Sequence, residues 1–228
     1  MRFGLLFMVV LAALILPPYA LGQAGPFNVV SPFAFDPERT QLVQSAWLTG
    51  IGCPDSDPAC STADTQDSRN EGLLLVKTGP TSTFASAGAE LHSIKDVVLN
   101  ELGYDIRKSG PAAGPLGSHC GAGAPRFNVV INGVTHFIGC NSPPPTSSTL
   151  GTGWVRLRWG GGAPSTPLLA FNSISGAFVN IRGLTADRIL ILFDEGQDPS
   201  GGPDQFGAAV LDNVDVNGVM VGRGSGSR

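Results

Sequence analysis

Residues 127–138 read Phe-Asn-Val-Val-Ile-Asn-Gly-Val-Thr-His-Phe-Ile. Two apolar runs, Phe127–Ile131 and Val134–Ile138, meet at Asn132-Gly133. A type I′ turn needs positive φ at both central residues, and Asn-Gly adopts it at little cost. The stretch therefore reads as a β-hairpin, with Ile131 opposite Val134 and Val129 opposite His136. A second Asn-Gly, at 217–218, lies between Ala208–Val216 and Val219–Val221 and predicts a second hairpin.

Working outward, the remaining signals are also those of strands. Leu73–Lys77 is a short apolar run. Across Val98–Arg107, Leu102, Tyr104 and Ile106 alternate with Glu101, Asp105 and Arg107. Trp154–Trp159 alternates strictly, and Phe178–Arg182 is a further strand. Ile189–Phe193 is wholly apolar and reads as a strand buried on both faces. Residues 54–71, 108–125 and 141–152 are polar or Gly/Pro-rich and read as loops.

One segment has two readings. Asp36-Pro37-Glu38-Arg39 has the form of a helix start, with Leu42, Val43, Ala46 and Trp47 on one face and Gly50 as its end. Leu42–Leu48 also reads as a strand. About eight or nine short strands separated by turn clusters imply an all-β chain. The expected architecture is an antiparallel β-sandwich or jelly roll with long loops and room for one short N-terminal helix; a barrel is the alternative.

Composition agrees. The chain has 228 residues with 31 Gly and 18 Pro, too many breakers for a bundle of long helices. With 42% hydrophobic and 14% charged residues it can bury a core, which argues against intrinsic disorder. A net charge of −4 argues against a nucleic-acid partner. Residues 1–24 read as a cleaved secretory signal: Arg2, an apolar run over Phe3–Leu16, then Pro17-Pro18 and small residues. The run is short for a membrane anchor. The expectation is a secreted, extracellular single domain over 25–228, with no membrane contact after cleavage. Nothing in the sequence sets the oligomeric state.

Cys53, Cys60, Cys120 and Cys140 fit that compartment. The local pairs Cys53–Cys60 and Cys120–Cys140 are favoured among the three connectivities. There is no C-x-x-C, and none of the three His has a ligand-spaced partner His, so zinc is not indicated.

The stretches LNELGYDIRK (99–108), SHCGAGAPRFNVV (118–130), THFIGC (135–140), GWVRLRW (153–159) and FDEGQD…AVLDNVDVNG (193–218) resemble a family of secreted bacterial β-sandwich proteins. That resemblance implies no activity. The strand VLDNVDV (210–216) is similar to the last strand of jelly-roll carbohydrate-binding modules, which implies a structural calcium at Asp212.

Three constellations carry candidate chemistry. Asp194, Glu195, Asp198 and Asp204 crowd one Gly-rich loop, with Asp212 and Asp215 on the next strand. Calcium takes six to eight oxygens, and such a loop suits it. The rival is a solvated loop whose acids cap turns. Asp194, Asp198, Asp204 and Asp212 are the candidate ligands. Second, Trp154, Arg156 and Arg158 share one face of their strand. An indole beside two guanidinium groups suits a sugar, and equally suits a stabilising cation–π stack paired with acids. Third, His136 lines up with apolar neighbours and reads as a satisfied core histidine.

No G-x-S-x-G, H-E-x-x-H or phosphate-binding loop is present, and no catalytic residue is assigned. The expected function is a non-catalytic binding module, foremost for an extracellular glycan. The alternatives are a structural or adhesive protein contacting cell-surface proteins, and a secreted hydrolase of polysaccharide or ester.

Overall fold

Both Asn-Gly turns form as their sequences dictate. Asn132 and Gly133 have φ of 50° and 74°, and Asn217 and Gly218 have 56° and 85°. The first joins β7 (Arg126–Ile131) to β8 (Val134–Ile138), with Val129 facing His136 and Ile131 facing Val134. The second joins β15 (Gly207–Val216) to β16 (Val219–Val221). The structure, a computed structural model, describes residues 29–53, 60, 69–81, 84–108, 124–150, 153–194 and 207–222.

Two seven-stranded antiparallel sheets carry these hairpins. Sheet A runs in the order β1 (Val29–Phe35), β4 (Ser86–His92), β14 (Arg188–Phe193), β7, β8, β11 (Leu169–Asn172) and β12 (Ala177–Asn180). Sheet B runs β2 (Val43–Thr49), β3 (Glu71–Lys77), β15, β6 (Glu101–Lys108), β10 (Trp154–Gly160) and β9 (Thr146–Thr149), with β16 on β15. A small third pair joins β5 (Val97–Val98) to β13 (Thr185–Ala186). This is an antiparallel β-sandwich of the jelly-roll kind. It is not a closed barrel, because each large sheet ends in edge strands.

The core follows from the period of two. Leu102, Tyr104 and Ile106 on β6 and Val155, Leu157 and Trp159 on β10 point inward, to meet Phe127 and Val129 on β7 and Ile189, Ile191 and Phe193 on β14. Tyr104, Phe127 and Trp159 form a tilted and edge-on trio with centroids 5.4–5.9 Å apart. Their polar ends are satisfied: the Tyr104 hydroxyl donates to the Pro125 carbonyl and the Trp159 indole N–H to that of Pro143. Leu190 and Leu192 are half-buried. Ile189–Phe193 therefore buries one face fully and only half covers the other, since no strand among the described residues packs over the outer side of sheet A there.

The segment after Asp36 is a strand, not a helix. The Asp36 carboxylate accepts the backbone N–H groups of Thr40 and Gln41, four and five residues on, where a helix cap would take those two or three residues on. Arg39 and Gln41 have φ of 58° and 60°, which no helix can continue through. All seven residues of β2 then pair with β3.

Candidate functional site

The two outer faces of the sandwich differ, and the difference decides where a ligand can sit. On sheet B the outer face carries the expected Trp154, Arg156 and Arg158, sharing a side as the alternation requires. The Cys53–Cys60 disulfide packs against the first of them, Trp154. Trp154 is 0% exposed and packs with Cys53, Cys60 and Leu150, with the Arg107 guanidinium 5.3 Å over its ring. Its indole N–H is buried without a hydrogen-bond partner. A ring so enclosed offers no face to a sugar in this arrangement.

Both arginines are committed to acids. Arg156 forks onto Asp105 through Nε and Nη2, at 2.9 and 2.8 Å. Arg158 lies between Asp105 at 3.4 Å and Asp215 at 2.9 Å. Gly103 makes this reach possible, since a Cβ there would strike the Arg158 stem. Asp105 also accepts from the Asn213 amide, which donates in addition to the Cys60 carbonyl. Asp105, which holds both arginines, is thus linked through Asn213 to Cys60. Asp215 is pushed up to about 7, first by burial and then by a hydrogen bond with the Glu101 carboxyl.

The four acids expected to hold calcium divide. Asp198 and Asp204 lie outside the described residues. Asp212 is buried and accepts the Cys53 N–H with one carboxylate oxygen and the Asn213 N–H with the other, each at 2.6 Å. Asp194 takes both terminal nitrogens of Arg126, while its backbone carbonyl accepts from the buried Lys77 ammonium. Through Lys77, Asp194 lies toward the Gly207 end of β15, and Asp212 stands five residues further along that strand. Among the described residues no group of three or more His, Cys, Asp or Glu could hold a metal ion. Cys140 is disulfide-bonded; its expected partner, Cys120, lies outside the described residues.

His136 is the satisfied core histidine that its position implied. Asn172 on β11 donates from Nδ2 to His136 Nε2 at 3.0 Å. That orientation is forced, because Asn172 Oδ1 accepts the Ile174 and Ser175 N–H groups of the β11–β12 turn. Nε2 therefore accepts, and Nδ1–H donates to the Val134 carbonyl at 3.1 Å.

Among the described residues, the outer side of sheet A is the more open face. Register places Asn128, Phe137, Phe171 and Phe178 in one line across β7, β8, β11 and β12. Phe178 is 50% exposed and stands edge-on to Phe171 with centroids 5.7 Å apart. The Arg126 guanidinium sits 5.8 Å over the Phe137 ring. Leu190 and Leu192 continue the apolar surface toward Phe33, which lies over Gly88; a Cβ at Gly88 would come within 2.6 Å of the ring. The sequence reading missed this row, although strict alternation after the hairpin already put Phe137 opposite in sense to His136. What it lacked was β11, a four-residue strand whose pairing brings Phe171 into line.

No protein-family model and no curated protein matches the chain. Among solved structures it is similar to a family 11 carbohydrate-binding module from Clostridium thermocellum in complex with a beta-1,3-1,4-mixed-linked tetrasaccharide. That match has 13% identity over 88% of this chain and 95% of that one, and a TM-score of 0.42. It is also similar to the family 11 module of the cellulosomal cellulase Lic26A-Cel5E of Clostridium thermocellum, at 12% identity over 91% and 96% of the two chains, with a TM-score of 0.36.

Proposed function

We propose that the protein is a secreted, non-catalytic binding module for extracellular carbohydrate, and that the outer face of sheet A is its binding surface. The observation that carries this reading is the cross-strand row ending in Phe178, half exposed on the open face. Aromatic rings bury the apolar C–H face of a pyranose while leaving its hydroxyls free to bond. Strands hold such rings more rigidly than loops do, which limits the entropy lost on binding.

Two neighbouring amides suit the hydroxyls. Asn128 uses Oδ1 for Arg126, and Asn180 uses Oδ1 for the Leu168 and Arg182 N–H groups. The Nδ2 donors of both remain available toward the face. Calcium stays in the proposal only through Asp198 and Asp204; a melting temperature raised by calcium and lowered by EDTA supports it.

The test is retention of the purified protein on insoluble polysaccharides and in gels containing soluble ones. Wild-type retention that is lost in Phe178→Ala, with the melting temperature unchanged, supports the reading. Retention that survives in both Phe178→Ala and Phe171→Ala places binding elsewhere. No retention on a broad panel favours protein contacts by the same apolar face.

A further inference from the structure

We infer that the ligand is an uncharged glycan laid across the strands of sheet A, and that polyuronates and sulfated polysaccharides are excluded, because among the described residues the guanidinium groups that its strands carry on this face, those of Arg126 and Arg188, are already neutralised by forked carboxylates, while that of Arg182 in the turn after β12 is taken up by the Gly161 and Thr166 carbonyls. The inference rests on the carbohydrate reading above and adds the charge class and direction of the ligand.

The charge argument starts from Arg126 and Arg188. Arg126 places both terminal nitrogens on Asp194 and its Nε on Asn128 at 3.2 Å. Arg188 forks onto Glu90 at 2.7 and 2.8 Å, and that hydrogen bonding holds the Glu90 carboxyl below its usual range. Forked pairs of this kind are the strong form of the guanidinium–carboxylate contact. A carboxylate or sulfate arriving on the face would have to displace Asp194 or Glu90, or lie beside them as a like charge. The chain's net charge of −4 adds a weaker, long-range repulsion of any polyanion. What remains for a ligand is ring faces and amide donors, which are the complements of C–H surfaces and neutral hydroxyls.

The direction follows from register. Asn128, Phe137, Phe171 and Phe178 stand on four successive strands, so the row runs perpendicular to the chain direction. Three strand spacings make it about 14 Å long. Its free amide donors lie at its two ends, Asn128 on β7 and Asn180 two residues beyond Phe178 on β12. An extended oligosaccharide meets rings in the middle and a hydrogen-bond donor at each end. A compact or branched head would meet one end alone.

The experiment is affinity electrophoresis of the full-length mature protein in gels cast with hydroxyethylcellulose, galactomannan, polygalacturonate or heparin, each at low and high salt. The expected result is retardation by at least one of the two uncharged polymers, unchanged by salt because no ion pair forms with the ligand. It should weaken at least tenfold in Phe178→Ala and in Asn128→Ala. Retardation by polygalacturonate or heparin that fades with salt overturns the charge inference and leaves a carbohydrate-binding protein of another kind. Retardation by none of the four, nor by the wider panel of polysaccharides, overturns the carbohydrate reading itself.

Discussion

Arg158 on β10 reaches across the whole of β6 to bond Asp215 on β15, at 2.9 Å. The strand between them is crossed at Gly103, the one residue type without a side chain to obstruct the stem. Gly103→Ala must therefore push Arg158 aside or shift β6 against the Leu157 carbonyl, which lies 2.6 Å from the new Cβ. The expected cost is about 1–3 kcal/mol, as for other overpacked sites. Urea denaturation of the variant and of Gly103→Ala/Arg158→Ala measures it. The double variant should recover part of the loss if the arginine stem is the obstacle.

Asp215 predicts a pH dependence of stability. Its folded-state value of about 7 lies above its ordinary value of 3.8, so the native state holds a proton that the unfolded chain has released. Stability contributed by that proton is complete below about pH 4 and is lost as pH rises through about 7. The slope in that window is at most about 1.4 kcal/mol per pH unit for one proton. Asp215→Asn, which cannot titrate, should flatten it. A thermal melt series from pH 4 to pH 8 on both proteins distinguishes this from a general acid effect, which would leave the two curves parallel.

The disulfide loop predicts a spectroscopic change. Cys53→Ser/Cys60→Ser should lower stability by about 2.5 kcal/mol by the loop-entropy relation. It should also loosen the packing over Trp154, so that tryptophan emission shifts to the red while the protein is still folded. Asp212→Asn keeps the shape but weakens the hold on the Cys53 N–H, and the same shift should appear in smaller degree. An emission maximum unmoved in both would mean that the roof is held by contacts other than these.

The His136–Asn172 pair predicts damage that spreads from core to surface. Asn172→Ala removes the acceptor of two turn N–H groups and leaves the buried His136 Nε2 without its donor. A cost of about 1–3 kcal/mol is expected for the orphaned group. Because Phe171 and Phe178 ride on that hairpin, glycan retention should fall as well. His136→Phe should cost stability for the same reason, the Asn172 amide then being left unpaired. Retention equal to wild type in Asn172→Ala would show that the row does not depend on the turn.

What was legible in the chain was local. Asn132-Gly133 and Asn217-Gly218 specify their turns through backbone preference alone, and the two hairpins carry the expected pairings with them. The alternation Trp154–Trp159 correctly divided inward from outward residues. Whether an outward face meets solvent is a separate question. It was decided by Cys53 bonding Asp212 from 159 positions away, a contact that no periodicity encodes. Phe137, Phe171 and Phe178 escaped notice for the same reason: their alignment depends on β8 meeting β11, across a loop and two strands of the other sheet. After Asp36 the sequence left a helix and a strand open, and the structure has the strand. The acid at the would-be cap bonds too far along the chain, at Thr40 and Gln41, and positive φ at Arg39 and Gln41 turns the chain into a ladder instead.

Among the described residues, the sulfur bridge lies on one broad side of the sandwich, against Trp154, and the half-exposed Phe178 lies on the other. Such a body is one-sided. Resting on an extended polymer it can settle in a single pose, with its rings down and its sulfur bridge facing the medium. Whatever else is displayed on the side of the bridge would then point away from the substratum, so adsorption would orient the molecule as well as retain it.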